Sequence, residues 1–278
     1  MLQYLDILSN KIFKIIFPSS AILFFGFVLI AQADSTTTIA TTTTITVSTT
    51  TMTKVTIPPG LRKEEIANIL TKNLNWTAKQ KNNFLACTNL KYDYIEGVYF
   101  PETYLIPKTE SPTNVCKRLI NKFNENFSQP LVEFNSQGFP WIKGLTLASI
   151  VQREAASVDD MPLIAGILLN RIGQKIPLGV DATLQYVRGD KNSKIKNSTT
   201  TAYWAPITVA DKKLVSKYNT YKKLGLPPHP IANPSLAAIN AVLHPASTSC
   251  IYYLHKNKIT YCANTYEHHL ENIETYLK

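Results

Sequence analysis

Zinc-ligand spacing, an Arg-rich helix and an aromatic RNA-binding signature are all missing from the 278-residue sequence. A nucleic-acid function therefore has no motif behind it. Acidic residues are scarce: 19 Asp+Glu stand against 29 Lys+Arg, a formal net charge of +10. A surplus of that size favours a polyanionic neighbour such as nucleic acid, anionic lipid or an acidic wall polymer, without choosing among them. A basic surface unrelated to any ligand fits the same count. Charged residues make up only 17% of the chain and apolar residues 45%, which excludes a disordered polymer and describes a folded one. The length suffices for one large domain or two modest ones.

The long apolar runs of a multi-span membrane protein are also absent, with one short exception. Lys11 and Lys14 precede "IIFPSSAILFFGFVLIA" at residues 15–31, interrupted by Pro18, Ser19 and Ser20. This is at the short end for a bilayer-spanning helix. The positive flank lies ahead of it, which keeps the N-terminus in the cytoplasm and exports the remainder. "AQA" at 31–33 also reads as a signal-peptidase site, so residues 1–33 are either an anchor or a cleaved signal. A single-pass protein of the inner (cytoplasmic) membrane, facing the periplasmic or extracytoplasmic side, is the expectation from the first. Residues 34–53, "DSTTTIATTTTITVSTTTMT", form a Thr-rich linker with room for a short strand near its end.

Cysteine is rare, four in all, and its placement agrees with export. "CIYYLHKNKITYC" from Cys250 to Cys262 is two β-rich arms about a Lys256–Asn257 tip. Folding about Lys256 brings its two cysteines opposite each other, where a disulfide is sterically possible. Cys87 and Cys116 are left as the second candidate pair. Four cysteines allow three pairings, and four free thiols remain open as well.

Apolar periodicity supplies the rest of the organisation. Val55 and Ile57 suggest a short strand, Pro58-Pro59-Gly60 a turn, and Leu61, Ile66, Ile69 and Leu70 one face of a helix. Two further helical stretches follow, around "TAKQKNNFLACTNL" and "SPTNVCKRLINKFNENF". The pattern becomes denser from Leu145. In "LASIVQREAA" at 147–156, Leu147, Ile150 and Val151 form a stripe whose next member is Glu154. A carboxylate on an inward face loses hydration, and the loss disfavours its ionised form. A carboxylic acid that keeps its proton near neutrality is what a general acid needs, as in the cleavage of a glycosidic bond. An error of one position in helix phase, or pairing with Arg153 or Arg171, would make the same glutamate structural. "DMPLIAGILLNRI" is a helix with Pro162 in its first turn and Leu163, Ile164, Ile167 and Leu168 inward. Residues 189–202 read as a loop, "NTYKKLGLPPHPIANPS" as a shaped loop, and "SLAAINAVLHP" as a helix ahead of the hairpin.

Six segments occur in an order that resembles the membrane-anchored endolytic murein transglycosylases, the MltG (YceG-like) family. They are "EGVYFPETY" at 96–104, "LASIVQREAA", "IAGILLNRI", "PLGVDATLQY", "SKYNTYKKLGLPPHPIANPSLAAINAVLHPA" and "ANTYEHHLENIETY". The resemblance covers residues 54–278. It implies an α+β fold in which a small LysM-like subdomain at 54–90 precedes a larger mixed helix/strand catalytic domain of the YceG-like type at 91–278. It implies cleavage of peptidoglycan glycan strands between N-acetylmuramic acid and N-acetylglucosamine, with 1,6-anhydromuramic ends, and a link to nascent strand termination and peptidoglycan synthases. Glu154 matches the family's essential glutamate. Because the muramic C6 hydroxyl supplies the nucleophile, one carboxylate suffices, and neither a metal nor an organic cofactor is called for.

Other positions match family motifs with open roles. Asp181, Tyr186, Tyr218, Asn219 and Tyr221 are candidate substrate-binding residues, each of which also suits a core or loop-holding role. Glu96 and Glu102 are expected to make structural hydrogen bonds, and His269 and Asn272 to fix the terminal helix. The chain departs from the family at Gln152, where many relatives carry an acid, at His229-Pro230, and in the Thr-rich tract, where longer relatives carry further LysM-like structure. Two other readings remain beside transglycosylation: a lysozyme-type hydrolase using water with Asp181 as base, and a non-catalytic peptidoglycan-binding scaffold.

Overall fold

Hydrophobic stripes on short helices have to be covered by other elements, and in this chain most of them converge on one helix. A computed structural model describes residues 51–87, 96–192 and 203–278. The expected anchor or signal at 1–33, most of the Thr-rich linker and residues 193–202 of the expected loop lie outside the described residues. Among the described residues no helix is long and apolar enough to cross a membrane.

The chain opens with strand β1 (Met52–Thr56), which pairs antiparallel with β2 (Thr103–Pro107), Val55 opposite Tyr104. Alternation turns Val55 inward from one strand and Tyr104 and Ile106 from the other, all buried. Between the two strands run α1 (Lys63–Leu74) and α2 (Ala78–Leu85). Ile66, Ala67, Leu70 and Leu74 form the buried face of α1, while Thr77 and Gln80 exchange hydrogen bonds as a capping box that starts α2. A strand needs a partner, and β1 finds its partner beyond the boundary expected at residue 90. The two cysteines flanking this boundary, Cys87 and Cys116, are joined by a disulfide. Strand β1 begins at Met52, at the end of the expected linker, where the sequence leaves room for a short strand. Ser48–Lys278 is one compact unit.

Ser111 caps α3 (Pro112–Ser136), with Pro112 in its first turn. This helix runs well past the stretch legible in the sequence and carries Pro130 inside it. Phe123, Phe127 and Phe134 recur along its buried side, with Phe123 stacked on Phe127 and Phe134 tilted against Phe127.

The central element is α4 (Trp141–Glu154), where every residue from Gly144 to Val151 is buried. It packs against α3, α5 (Met161–Gly173), α6 (Asp181–Asn192) and α7 (Leu236–Leu243). Each fully buried Leu or Ile of its stripe contributes about 1.5–3 kcal/mol of transfer free energy. Polar groups on α4 fix the Pro-rich loop ahead of α7. Ser149 Oγ accepts from the Ile231 amide at 3.0 Å, and Gln152 Oε1 accepts from the Ser235 amide at 3.0 Å and its hydroxyl at 2.7 Å. The helix stops at Glu154, because Ala155 is already extended (φ −65°, ψ 136°). The helix expected to continue to 156 therefore ends with the glutamate at its C-terminal residue.

The chain closes with the hairpin β3 (Tyr252–Lys256) and β4 (Ile259–Ala263), covered by α8 (Tyr266–Leu277). Its turn is Asn257-Lys258, both at positive φ (53° and 63°), rather than the expected Lys256–Asn257 tip. That conformation suits a two-residue hairpin turn. The shift moves the register so that Cys262 opposes Tyr253. Cys250, just ahead of β3, still reaches Cys262 with the Cα atoms 5.8 Å apart, and the two are bonded. No free cysteine remains among the described residues.

The segment leading into β3 crosses α5 at Gly166, and the Ala246 amide donates to the Pro162 carbonyl at 2.9 Å. A Cβ at residue 166 would collide with the Ala246 carbonyl oxygen. Gly166→Ala is expected to lower stability by about 1–3 kcal/mol. Urea unfolding measures it, and an unchanged midpoint would contradict so close a crossing.

Candidate active site

A glutamate at the last position of a helix sits where the aligned peptide dipoles present their negative end, which disfavours a second negative charge. Glu154 occupies that position on α4, half-buried. Burial is the dominant cause holding its pKa above the ordinary carboxylate range, and the charge of Asp181 adds to it. Three groups act the other way: the Tyr253 hydroxyl, which donates to Oε2 at 2.7 Å, the Ala182 backbone amide, and the Arg153 guanidinium. The net effect is a carboxyl group that retains its proton to higher pH than a solvated glutamate, yet is held by donors when it ionises.

The N-terminus of α6 delivers Ala182 and Asp181 to this carboxyl. Gly179, at φ +61°, turns the chain into the helix. The Gly179 amide donates to the Thr220 carbonyl and the Val180 amide to Thr220 Oγ1, each at 3.0 Å, while the Thr183 and Thr220 hydroxyls meet at 2.9 Å. These bonds join the loop at 216–221 to the start of α6. As a result the Tyr221 hydroxyl donates to Asp181 Oδ1. Burial and the neighbouring Asp181 raise the pKa of Tyr221, so the phenol stays protonated as a donor. Asp181 itself is exposed.

The residues expected to bind substrate thus fall into three groups. Asp181 and Tyr221 lie beside Glu154. Tyr186 is five residues on from Asp181, about 140° round α6 at ~100° per residue. It pairs instead with Tyr218, ring centroids 5.1 Å apart, and with the Arg62 guanidinium 4.3 Å above its ring. Asn219 is a correction: it is fully buried, its Nδ2 donates to the carbonyls of Lys212 and Leu214, and its Oδ1 accepts from the Tyr221 amide. Both Nδ2 donors and one Oδ1 lone pair go into shaping the loop, which assigns Asn219 a loop-holding role rather than substrate contact.

Tyr253 was missed in the sequence. The pattern that could have found it is the alternation within "CIYYLHK": of two adjacent tyrosines on a strand only one faces the core. Burial first, and then Glu154, raise the Tyr253 phenol pKa well above its usual value. Tyr252 points the other way and stacks on His269 of α8, centroids 5.3 Å apart. Asn272 Nδ2 reaches the Cys262 carbonyl at 3.4 Å. Both C-terminal motif residues therefore hold α8 onto the hairpin, as expected.

A second polar cluster lies on the opposite side of Arg153. The Arg153 guanidinium sits 3.9 Å from the Trp204 ring centroid, and Trp204 Nε1 donates to Glu65 Oε2 at 2.8 Å. Glu65 and Glu96 accept from the amides of Arg62 and Lys63 at 3.0 and 2.8 Å and so cap α1. Arg62 is itself buried, with a Glu64 ion pair at 3.2 Å and a bond to the Tyr186 carbonyl at 2.9 Å. Glu96 is structural, as expected, and burial together with the Glu64 charge raises its pKa to about 8. No group of metal-ligating residues occurs among the described residues.

A profile of the YceG-like family matches residues 10–275. The endolytic murein transglycosylase of Bacillus subtilis is 33% identical over 171 residues, 61% of this chain and 44% of that protein. The protein of the same name from Streptococcus pneumoniae is 29% identical over 182 residues, 64% of this chain and 32% of that protein. The chain thus aligns with less than half the length of these relatives. The crystal structure of a yceG-like protein from Listeria monocytogenes superposes with a TM-score of 0.64 at 25% identity, covering 78% of this chain and 74% of that one.

Glu96 makes stability pH-dependent. Its folded pKa of about 8 exceeds the ordinary 4.5, so the folded state holds the proton while the unfolded state releases it. Stability is full below the unfolded value and falls as pH rises through the folded one. Wild type is expected to lose stability relative to Glu96→Gln between about pH 5 and pH 8. Urea midpoints of both chains at the two pH values measure this, and parallel behaviour would contradict it.

Proposed function

The chain belongs to the YceG-like family, and on that premise we propose that it is an endolytic lytic transglycosylase acting on the glycan strands of peptidoglycan. The observation that carries this reading is the state of Glu154: half-buried, with a raised pKa, and held by a phenol and a helix N-terminal amide. The relatives named endolytic murein transglycosylases support the substrate class. The fold similarity to the Listeria protein supports a shared framework.

Glu154 transfers its proton to the bridging oxygen as the bond from muramic C1 to that oxygen breaks. The C6 hydroxyl of the same sugar then attacks C1, and its proton passes to the Glu154 carboxylate. A 1,6-anhydro ring forms, the free hydroxyl leaves on the other fragment, and the enzyme returns to its starting protonation state. The tethered nucleophile removes the entropy cost of recruiting a water molecule. The Tyr253 and Ala182 donors hold the carboxylate between the two proton transfers, and Arg153 offsets its charge. Activity on this scheme falls as pH rises through the raised pKa of Glu154.

The surrounding chain fits the same reading. The apolar segment at 15–31 supports export across the cytoplasmic membrane, as an anchor or a signal. The small unit at 54–90 is proposed as the LysM-like element. Peptidoglycan synthases are the partners that such a strand-terminating activity serves.

One observation favours a second reading. Asp181 is exposed and close enough to raise the Glu154 pKa, and two carboxyl groups are the equipment of a glycoside hydrolase that uses water. Mass spectrometry of products released from uncrosslinked glycan separates the two. Anhydromuramic ends, lighter than hydrolysed ends by one water, are expected, with Glu154→Gln lowering release at least about a hundredfold. Reducing muramic ends abolished by Asp181→Asn would establish the hydrolase instead. Full activity in Glu154→Gln would remove this glutamate from either mechanism.

A further inference from the structure

The C-terminal hairpin is fastened more thoroughly than a two-stranded sheet at the end of a chain requires. Two-stranded hairpins are marginal by themselves. Here Asn170 Nδ2 on α5 donates to the carbonyls of Thr248 and Cys250 at 2.6 and 3.1 Å, and Arg171 Nη1 donates to the Ile251 carbonyl at 2.9 Å. These bonds fix the entry to β3 from one side. Helix α8 covers the other side through the Tyr252–His269 stack. Between them the Cys250–Cys262 disulfide ties a residue two positions ahead of β3 to the residue directly opposite Tyr253. The side chain held in place by all three devices is Tyr253, whose hydroxyl donates to Glu154 Oε2 at 2.7 Å.

We infer that Tyr253 is a positioning residue for the proposed transglycosylation, fixing the Glu154 carboxyl through Oε2 so that Oε1 carries the proton to and from the sugar. This rests on the reading of Glu154 as general acid and then base. A carboxyl at the end of a helix is free to rotate about its last torsions, and a single donor on one oxygen sets its plane. The same donor acts in both half-reactions, because the phenol stays protonated: burial and Glu154 hold its pKa far above working pH. Tyr253 is therefore a donor throughout and never the base. Donation to an ionised carboxylate also limits how far burial raises the pKa of Glu154.

The charged and titratable groups facing this pair are Asp181 of α6, Arg153 of α4, Arg171 of α5 and Tyr221 of the preceding loop. The His255 ring on β3 is 5.4 Å from the Tyr253 ring. Removing only the phenol oxygen leaves all of these in place, so the direction of change is defined. Without the donor, the carboxylate form loses stabilisation and the Glu154 pKa rises.

The test compares wild type, Tyr253→Phe and Glu154→Gln in the full chain on uncrosslinked glycan strands across pH, with thermal melting to check the fold. Tyr253→Phe is expected to lower kcat about 10- to 100-fold, the range for a hydrogen bond to a charged group. KM is expected to change little, and the alkaline limb of kcat/KM to move to higher pH. Wild-type kcat, or a limb that stays or moves to lower pH, would overturn the inference. A second measurement needs neither activity nor a deletion. Fluorotyrosine at position 253 keeps the shape of the side chain, and its fluorine resonance is expected to titrate in step with Glu154 and to lose that step in Glu154→Gln. No such step would overturn the inference whatever the activity. A step in a chain that releases no product would instead sink the transglycosylase reading and leave the Tyr253–Glu154 bond standing.

Discussion

Desolvation of one carboxyl group, balanced against a small set of donors, is the constraint around which the rest of this structure is arranged. Glu154 gains nothing for stability from its position. Its burial favours the protonated form, and the end of α4 presents the wrong sign of dipole to a negative charge. What offsets this is the Ala182 amide at the start of α6, the phenol of β3 and the neighbouring guanidinium of Arg153. A site of this kind trades folding free energy for a pKa matched to proton transfer, which is the pattern expected of catalytic acids.

The scaffold can be understood as the means of bringing those groups to one point. Helix α4 is buried along most of its length, so its C-terminal end is placed by core packing rather than by surface contacts. Thr220 joins the 216–221 loop to the first turn of α6, setting Tyr221 on Asp181 and Ala182 at Glu154. Asn233 draws the β1–α1 unit onto the Pro-rich loop, donating through Nδ2 to the Leu61 carbonyl and accepting at Oδ1 from the Tyr99 amide. The Arg153–Trp204–Glu65 chain then connects the residue next to Glu154 with the capped N-terminus of α1. The N-terminal strand and helices are in this way mechanically continuous with the site.

Local sequence carried much of this and missed what depends on long-range partners. The stripe Leu147–Ile150–Val151 pointed inward to Glu154 because helix period and burial agree along the buried stretch of α4 from Gly144 to Val151. Both disulfides follow the pairs the cysteine spacing left as candidates. The end of α4 at Glu154 was not legible, since no proline or glycine follows, and its termination is imposed by the turn toward α5. The hairpin register slipped by one position because Asn257-Lys258, not Lys256–Asn257, takes up the left-handed turn. Tyr253 stayed hidden because alternation says that only one of Tyr252 and Tyr253 faces inward, not which one. Asn219 illustrates the opposite case: an amide in a motif suited sugar hydroxyls on paper, while the buried loop takes both of its donors and one acceptor site. Resemblance to a family located the motif, and only packing could say which way its side chains turn.

The central claim is that Glu154 keeps its proton where a solvated glutamate would have lost it. Carbon NMR of the chain labelled at glutamate side-chain carboxyls, with Glu154→Gln identifying the resonance, measures that directly. The account predicts one carboxyl, absent from the variant, that titrates above the ordinary glutamate value of about 4.3. A Glu154 resonance that titrates at or below that value would contradict it.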